Sequence, residues 1–212
     1  MSELETNKKS NGRKFYQELG SERHESLSKF VTGKAIYIDD MPIEVGTLHA
    51  YIGKSDFARG TILEIDFREV ASFPGVVDIF TAKDIPGIND ISPTGLNDEP
   101  VLADKEVSFF GQPLFVVVAS TRSQARIAAS LAKIKKKKKK PFLDITNKSH
   151  KDYKLVTAPL TLQRGNIAKG LNNSKNRLSG NMHIGGQDHF YLEGHIAIAK
   201  PEESKGLLIS SS

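Results

Sequence analysis

The chain has 212 residues, 38% of them hydrophobic and 26% charged, with a formal net charge of +5 at pH 7. That is the composition of an ordinary globular protein, long enough for one domain or two small ones. It contains no cysteine, which excludes disulfides, a thiolate nucleophile and a Cys-ligated iron–sulfur cluster on this chain.

The positive charge does not describe the whole surface. Six of the 30 basic residues form one run, Lys135 to Lys140, and without it 24 basic residues face 25 acidic ones. A general nucleic-acid surface is therefore not expected, since the basic excess is local. No apolar run reaches the length of a membrane span. The first residues, MSELETNKKSNGRKFYQELG, lack the apolar core of a secretory signal, so a cytoplasmic location is expected.

Residues 1–27 are polar and aperiodic and read as a mobile arm. Leu48 to Ile52 reads as a short strand ending at Gly53, and Thr61 to Phe67 as a half-buried strand with period two. Arg68 to Phe73 reads as one helical turn, stopped by Pro74-Gly75. Val76 to Phe80 is the next strand, with Thr81 and Asp84 placed as a capping pair behind it. Residues 86–106 form a long loop. Gly111-Gln112-Pro113 reads as a bulge, and Leu114 to Ala119, apolar on both faces, as a central strand. Thr121 caps a helix through about Ala132, with Ala125, Ala128, Ala129 and Ala132 as its small-residue face.

The lysine run follows. It reads either as a lysine-blunted edge strand, as a polyanion-binding patch, or as drifted sequence. Lysines on both faces of one strand would bury some like charges at a cost. After a loop at residues 148–160 comes a short helix near Asn166 to Leu171, a turn at Asn172-Asn173, and strands over 177–185 and 190–199. A last apolar run, Gly206 to Ile209, reaches almost to Ser212, and an apolar strand with no following element suggests an interrupted domain.

Four segments in register carry a resemblance: HESLSKFVTGKAIYIDDMP (24–42), FPGVVDIFTAKDIPGINDISP (73–93), FFGQPLFVVVA (109–119) and IGGQDHFYLEGHIAIA (184–199). Together they resemble the xanthine dehydrogenase and aldehyde oxidase family, in its molybdenum-binding subunit. The resemblance implies an α+β fold, with a hammerhead domain at 28–145 and the beginning of a first molybdopterin-binding domain at 155–212. It implies the N-terminal part of a xanthine dehydrogenase that hydroxylates hypoxanthine and xanthine to urate and is inactive alone. It implies a molybdopterin cofactor, with iron–sulfur clusters and FAD on a partner subunit, NAD as acceptor, and a higher oligomer in the complete protein. The absence of cysteine agrees with clusters held elsewhere.

By the same resemblance Gln187 contacts an oxygen ligand of molybdenum. A neutral amide can donate to such an oxygen without adding charge. Gly185 and Gly186 suit a close backbone approach, and Phe190 flanks them. No catalytic residue and no metal ligand is expected on this chain. If 185–195 is a buried strand, Phe190 and Leu192 share one face, and His189, Tyr191, Glu193 and His195 the other. Those polar side chains read as a network, not as a metal site. His24-Glu25-Ser26 and Asp39-Asp40 read as structural contacts. The remaining readings are another molybdenum hydroxylase of aldehyde oxidase type, or a non-enzymatic truncated fragment with a polyanion-binding lysine run.

Overall fold

The structure, a computed structural model, describes residues 26–143, 157–203 and 206–212. The expected N-terminal arm and the loop at 148–160 lie largely outside the described residues, and His24 and Glu25 lie wholly outside them. The chain divides into two compact units, residues 44–179 and residues 1–43 with 180–212.

Among the described residues of the first unit, six strands form two antiparallel sheets. They are β1 (His49–Lys54), β2 (Gly60–Asp66), β3 (Val76–Thr81), β4 (Glu106–Val107), β5 (Pro113–Ala119) and β6 (Lys133–Lys138). The sheets have strand orders β1-β5-β3 and β4-β2-β6. β5 is central, and Leu114, Phe115, Val117 and Ala119 on it are all buried. Its near-continuous apolar sequence follows from having packing partners on both faces.

The expected helix after Thr121 runs Arg122–Ser130. The Thr121 hydroxyl accepts the Gln124 N–H at 3.2 Å, satisfying one of the free donors of the first turn. Ala125, Ala128 and Ala129 are buried, and Ala132 packs against the core from just beyond the helix. Small side chains let the helix axis approach the sheet closely. The core comprises Phe57, Val70, Val107, Leu114, Phe115 and Val117 with two of these alanines. The turn Arg68–Ala71 supplies Val70 to that core. Gly75 at φ +86° closes the following turn, and its carbonyl accepts the Ser120 N–H at 2.8 Å.

The Gly111-Gln112-Pro113 irregularity is present and has a chemical cause. The register of β1 on β5 shifts between Gly53 and Lys54, which pairs with Pro113. Buried Ser55 organises the bend: its hydroxyl accepts the Gly111 and Gln112 N–H groups at 3.1 Å and donates to nearby carbonyls. The buried Gln112 amide oxygen accepts the Ser108 N–H at 2.8 Å. The long loop at 86–106 is tied rather than loose. Asn89 exchanges two hydrogen bonds with Leu102, and the Asp90 carboxylate accepts the N–H groups of Ser92 and Glu99.

Of the lysine run, Lys135 to Lys138 lie in β6, an edge strand on β2, and Lys139 and Lys140 follow it. Only one of the run's six lysines turns inward. Lys136 is half-buried, with its ammonium 5.2 Å from the centre of the Phe57 ring and paired with Asp56. Lys133, at the start of the strand, pairs with Glu69, and Lys139 with Glu106 at 2.8 Å. The expected burial of several like charges therefore does not occur. An edge strand lets its outer lysines reach water, and the one inward ammonium meets a carboxylate and an aromatic face. A helix at Ile167–Asn173, capped by the Asn166 side chain on the Lys169 N–H, completes this unit's regular elements. Asn172 and Asn173 sit in its last turn rather than in a separate turn.

In the second unit a short helix, Leu27–Val31, precedes a 3-10 turn at Ile38–Asp40. The Asp40 carboxylate accepts the Tyr37 N–H at 3.1 Å, a structural role for one of the two adjacent aspartates. The C-terminal strands are β7 (Ala197–Pro201) and β8 (Leu207–Ser211), paired antiparallel.

Candidate functional site

The segment Gly185 to His195 lies in the second unit, in exposed irregular backbone. It is not the buried strand that the alternation of its residues suggests, and no strand forms over 177–185. Regular pairing in this region begins only at Ala197. Two physical reasons act together. Gly185 and Gly186 bring no side chain to pack and cost the most backbone entropy to order. The segment also has no ladder partner among the described residues, and a strand without one leaves its N–H and C=O groups to water.

Phe190 breaks the expected face alternation outright. It sits at φ +46°, in the left-handed region that an aromatic residue rarely adopts, and its side chain is 92% exposed. Its N–H donates to the Asp188 carboxylate at 3.4 Å. Of the polar side chains expected to share the other face, two come together. Tyr191 and His195 meet edge to face, ring centroids 5.1 Å apart, with the tyrosine hydroxyl against the imidazole Nε2. Glu193 is half-buried and accepts the Ile38 N–H at 3.0 Å, tying the 3-10 turn to this segment. Ser212 braces the segment's end, donating to the Gly194 carbonyl at 3.0 Å and accepting the Ile196 N–H at 3.1 Å. The Glu193–Ile38 bond spans 155 residues, and no local sequence signal could have announced it.

Gln187 points into no enclosed space. A Cβ built on Gly185 or Gly186 would meet nothing within 4 Å. The donor chemistry suits an anionic or oxo-bearing group: one neutral amide beside unhindered backbone N–H groups. Among the described residues nothing closes over the two glycines, so these residues alone do not enclose a cofactor site. Two open depressions, of about 340 and 250 Å3, lie instead along β2 and β6 in the other unit. Glu64, Asp66, Arg68 and Lys133 line the first, and Lys54, Asp56, Phe115 and Lys136 the second. Among the described residues no three His, Asp or Glu side chains come together as a metal site, and no helix is long and apolar enough to cross a membrane.

The carboxylates held below their ordinary range lie in the first unit. The Arg68 guanidinium grips Asp66 with bonds of 2.7–3.1 Å and holds its carboxyl well below the usual carboxylate range. The hydrogen bond from Lys136 lowers Asp56, and Lys139 with the Thr61 hydroxyl lowers Glu106.

Comparison with known proteins gives these units a context. Residues 32–140 match the family model "Aldehyde oxidase and xanthine dehydrogenase, a/b hammerhead domain", and residues 148–212 match "Molybdopterin cofactor-binding domain". The chain is 38% identical over 184 residues to a xanthine dehydrogenase/oxidase of Gallus gallus, covering 86% of this chain and 13% of that protein. It is 35% identical over 190 residues to a xanthine dehydrogenase of Dictyostelium discoideum, covering 90% of this chain and 14% of the relative. An aldehyde oxidase 2 of Mus musculus is 35% identical over 179 residues, covering 84% of this chain and 13% of the relative. The chain thus spans about one-seventh to one-eighth of the length of these curated relatives. Among solved structures, the aldehyde oxidoreductase from Desulfovibrio gigas superposes with a TM-score of 0.75 over 88% of this chain and 23% of the other, at 23% identity. The fold is therefore α+β, a hammerhead domain followed by the beginning of a molybdopterin-binding domain, and the chain belongs to the aldehyde oxidase and xanthine dehydrogenase family.

Proposed function

We propose that this chain is the N-terminal portion of the molybdenum-cofactor part of a xanthine dehydrogenase, hydroxylating hypoxanthine and xanthine. The carrying observation is the tandem of family matches, hammerhead then cofactor-binding domain, together with 35–38% identity to xanthine dehydrogenases over most of the chain. In this reading residues 28–145 are the hammerhead domain and residues 155–212 begin the first cofactor-binding domain. Electrons leave through iron–sulfur clusters and FAD to NAD. A chain without cysteine supplies no thiolate for such clusters, so we assign them to a partner subunit. The reading places the protein in the cytoplasm and in a higher oligomer.

Gln187 is the amide donor we assign to an oxygen ligand of the metal, with Gly185 and Gly186 permitting close approach and Phe190 beside them. The segment is unwalled in this chain, so the site needs further polypeptide to close it. This chain alone should not turn over.

The test uses the longest polypeptide that contains this chain, purified with its redox partners. Xanthine oxidation coupled to NAD reduction is expected, and Gln187→Ala should lower kcat by about 10- to 100-fold with molybdenum retained. Oxidation of aldehydes but not of purines would overturn the substrate assignment. Turnover by the 212-residue chain alone would overturn the division of labour.

A further inference from the structure

The lysine strand β6 carries more than a solvated edge requires. Its inner side is paired to β2, and the direction of its backbone groups follows from two bonds. Lys139 N–H donates to the Arg59 carbonyl at 2.9 Å, so Lys139 faces β2. Ile62, opposite Lys136, donates instead to Lys105 on its other side at 2.8 Å. Residues of an antiparallel strand alternate between the two sides. The N–H and C=O groups of Ile134, Lys136 and Lys138 therefore point to the open edge, where no strand pairs among the described residues.

The charges on that edge are unequal. Lys133, Lys136 and Lys139 are matched by Glu69, Asp56 and Glu106, and Lys135 lies across from Glu64. Lys137 and Lys138 lie across from Thr61 and Gly60, and with Lys140 they form no ion pair with a described carboxylate, although Lys138 lies near enough to Asp56 to help lower it. A second copy of β6 is excluded from this edge, because lysine would face lysine. A strand bearing carboxylates meets both the open hydrogen-bond row and the unmatched ammonium groups. The same sheet already shows the pairing chemistry, since acidic residues answer its other lysines. Nucleic acid fits less well, because a phosphate backbone cannot use a row of alternating donors and acceptors.

We propose that β6 is a docking edge for an extended acidic segment of a partner protein, which adds as a further strand to the β4-β2-β6 sheet.

The probe is a capped, labelled peptide of alternating Glu and Val, seven residues long, titrated into the 212-residue chain. Binding is expected. The same peptide N-methylated along its central residues keeps its charge and loses its backbone donors; it should bind about ten-fold or more weakly. Lys138→Pro removes one outward N–H without touching the bonds to β2, and should weaken the peptide similarly with unchanged circular dichroism. If that variant fails to fold, the methylated peptide still decides. Equal binding of the two peptides, or equal binding of a single-stranded oligonucleotide, would reduce the edge to an unselective cation patch and overturn the proposal. Binding by this chain but not by the longest polypeptide containing it would mean an internal segment covers the edge, and would overturn the partner.

Discussion

At the scale of single residues, Gly53 and the depressed carboxylates make the sharpest predictions. Gly53 lies directly opposite Phe115, and a Cβ there would run into the phenyl ring. That ring is fixed: Phe115 is buried and packs edge-on against Phe67, centroids 4.9 Å apart. Gly53→Ala should therefore destabilise by about 1–3 kcal/mol, as overpacking does, read as a fall in the urea midpoint. The sequence marked Gly53 only as a strand terminus, because the ring it faces comes from a residue far along the chain. Asp66, Asp56 and Glu106 titrate below their ordinary values in the fold. A depressed carboxylate contributes stability above its unfolded pKa and loses it as pH falls through the folded value. Stability should hold steady above about pH 5 and drop steadily below about pH 4, in urea melts taken from pH 2 to 7. Asp66→Asn should flatten that drop.

At the scale of elements, β6 separates two kinds of lysine. Lys136 lays its stem along Phe57 and pairs with Asp56, while Lys137, Lys138 and Lys140 stand in water. Replacing the outer three with Thr should change stability by no more than about 0.5 kcal/mol. Lys136→Ala should cost more, because it removes packing and leaves Asp56 without its ammonium. Equal effects, measured by thermal melts, would show that the inward lysine contributes no more than the outer ones. Within residues 48–132 the helix and every strand but β4, whose Glu106 was read as loop, were legible because period-two alternation, the Thr121 cap and the Pro74-Gly75 stop are local signals. The residues after 174 were not. Alternating polar and aromatic side chains at 186–195 imitate a strand, but a strand exists only with a neighbour, and the nearest regular pair is β7 with β8. Gln187 was legible as a candidate through its motif alone, and its exposed surroundings were not. The glycines that make the motif recognisable also weaken its tendency to pair as a strand.

At the scale of the whole molecule, the chain spans only about one-seventh of the length of the curated relatives it matches. Leu207, Leu208 and Ile209 on β8 are exposed, as are Leu192 and Phe190 near the glycine segment. Exposed apolar strand residues are poorly tolerated in water unless something covers them. Expressed alone, the chain should self-associate, and Leu207→Thr with Ile209→Thr should shift it towards monomer in light scattering. The proposed function requires that these 212 residues belong to a molybdenum-binding polypeptide. The most direct measurement is elemental analysis of the longest polypeptide that contains them, produced in a host that makes the cofactor. Stoichiometric molybdenum with a releasable pterin is the predicted result. Correctly folded, soluble polypeptide that contains no molybdenum would contradict the account.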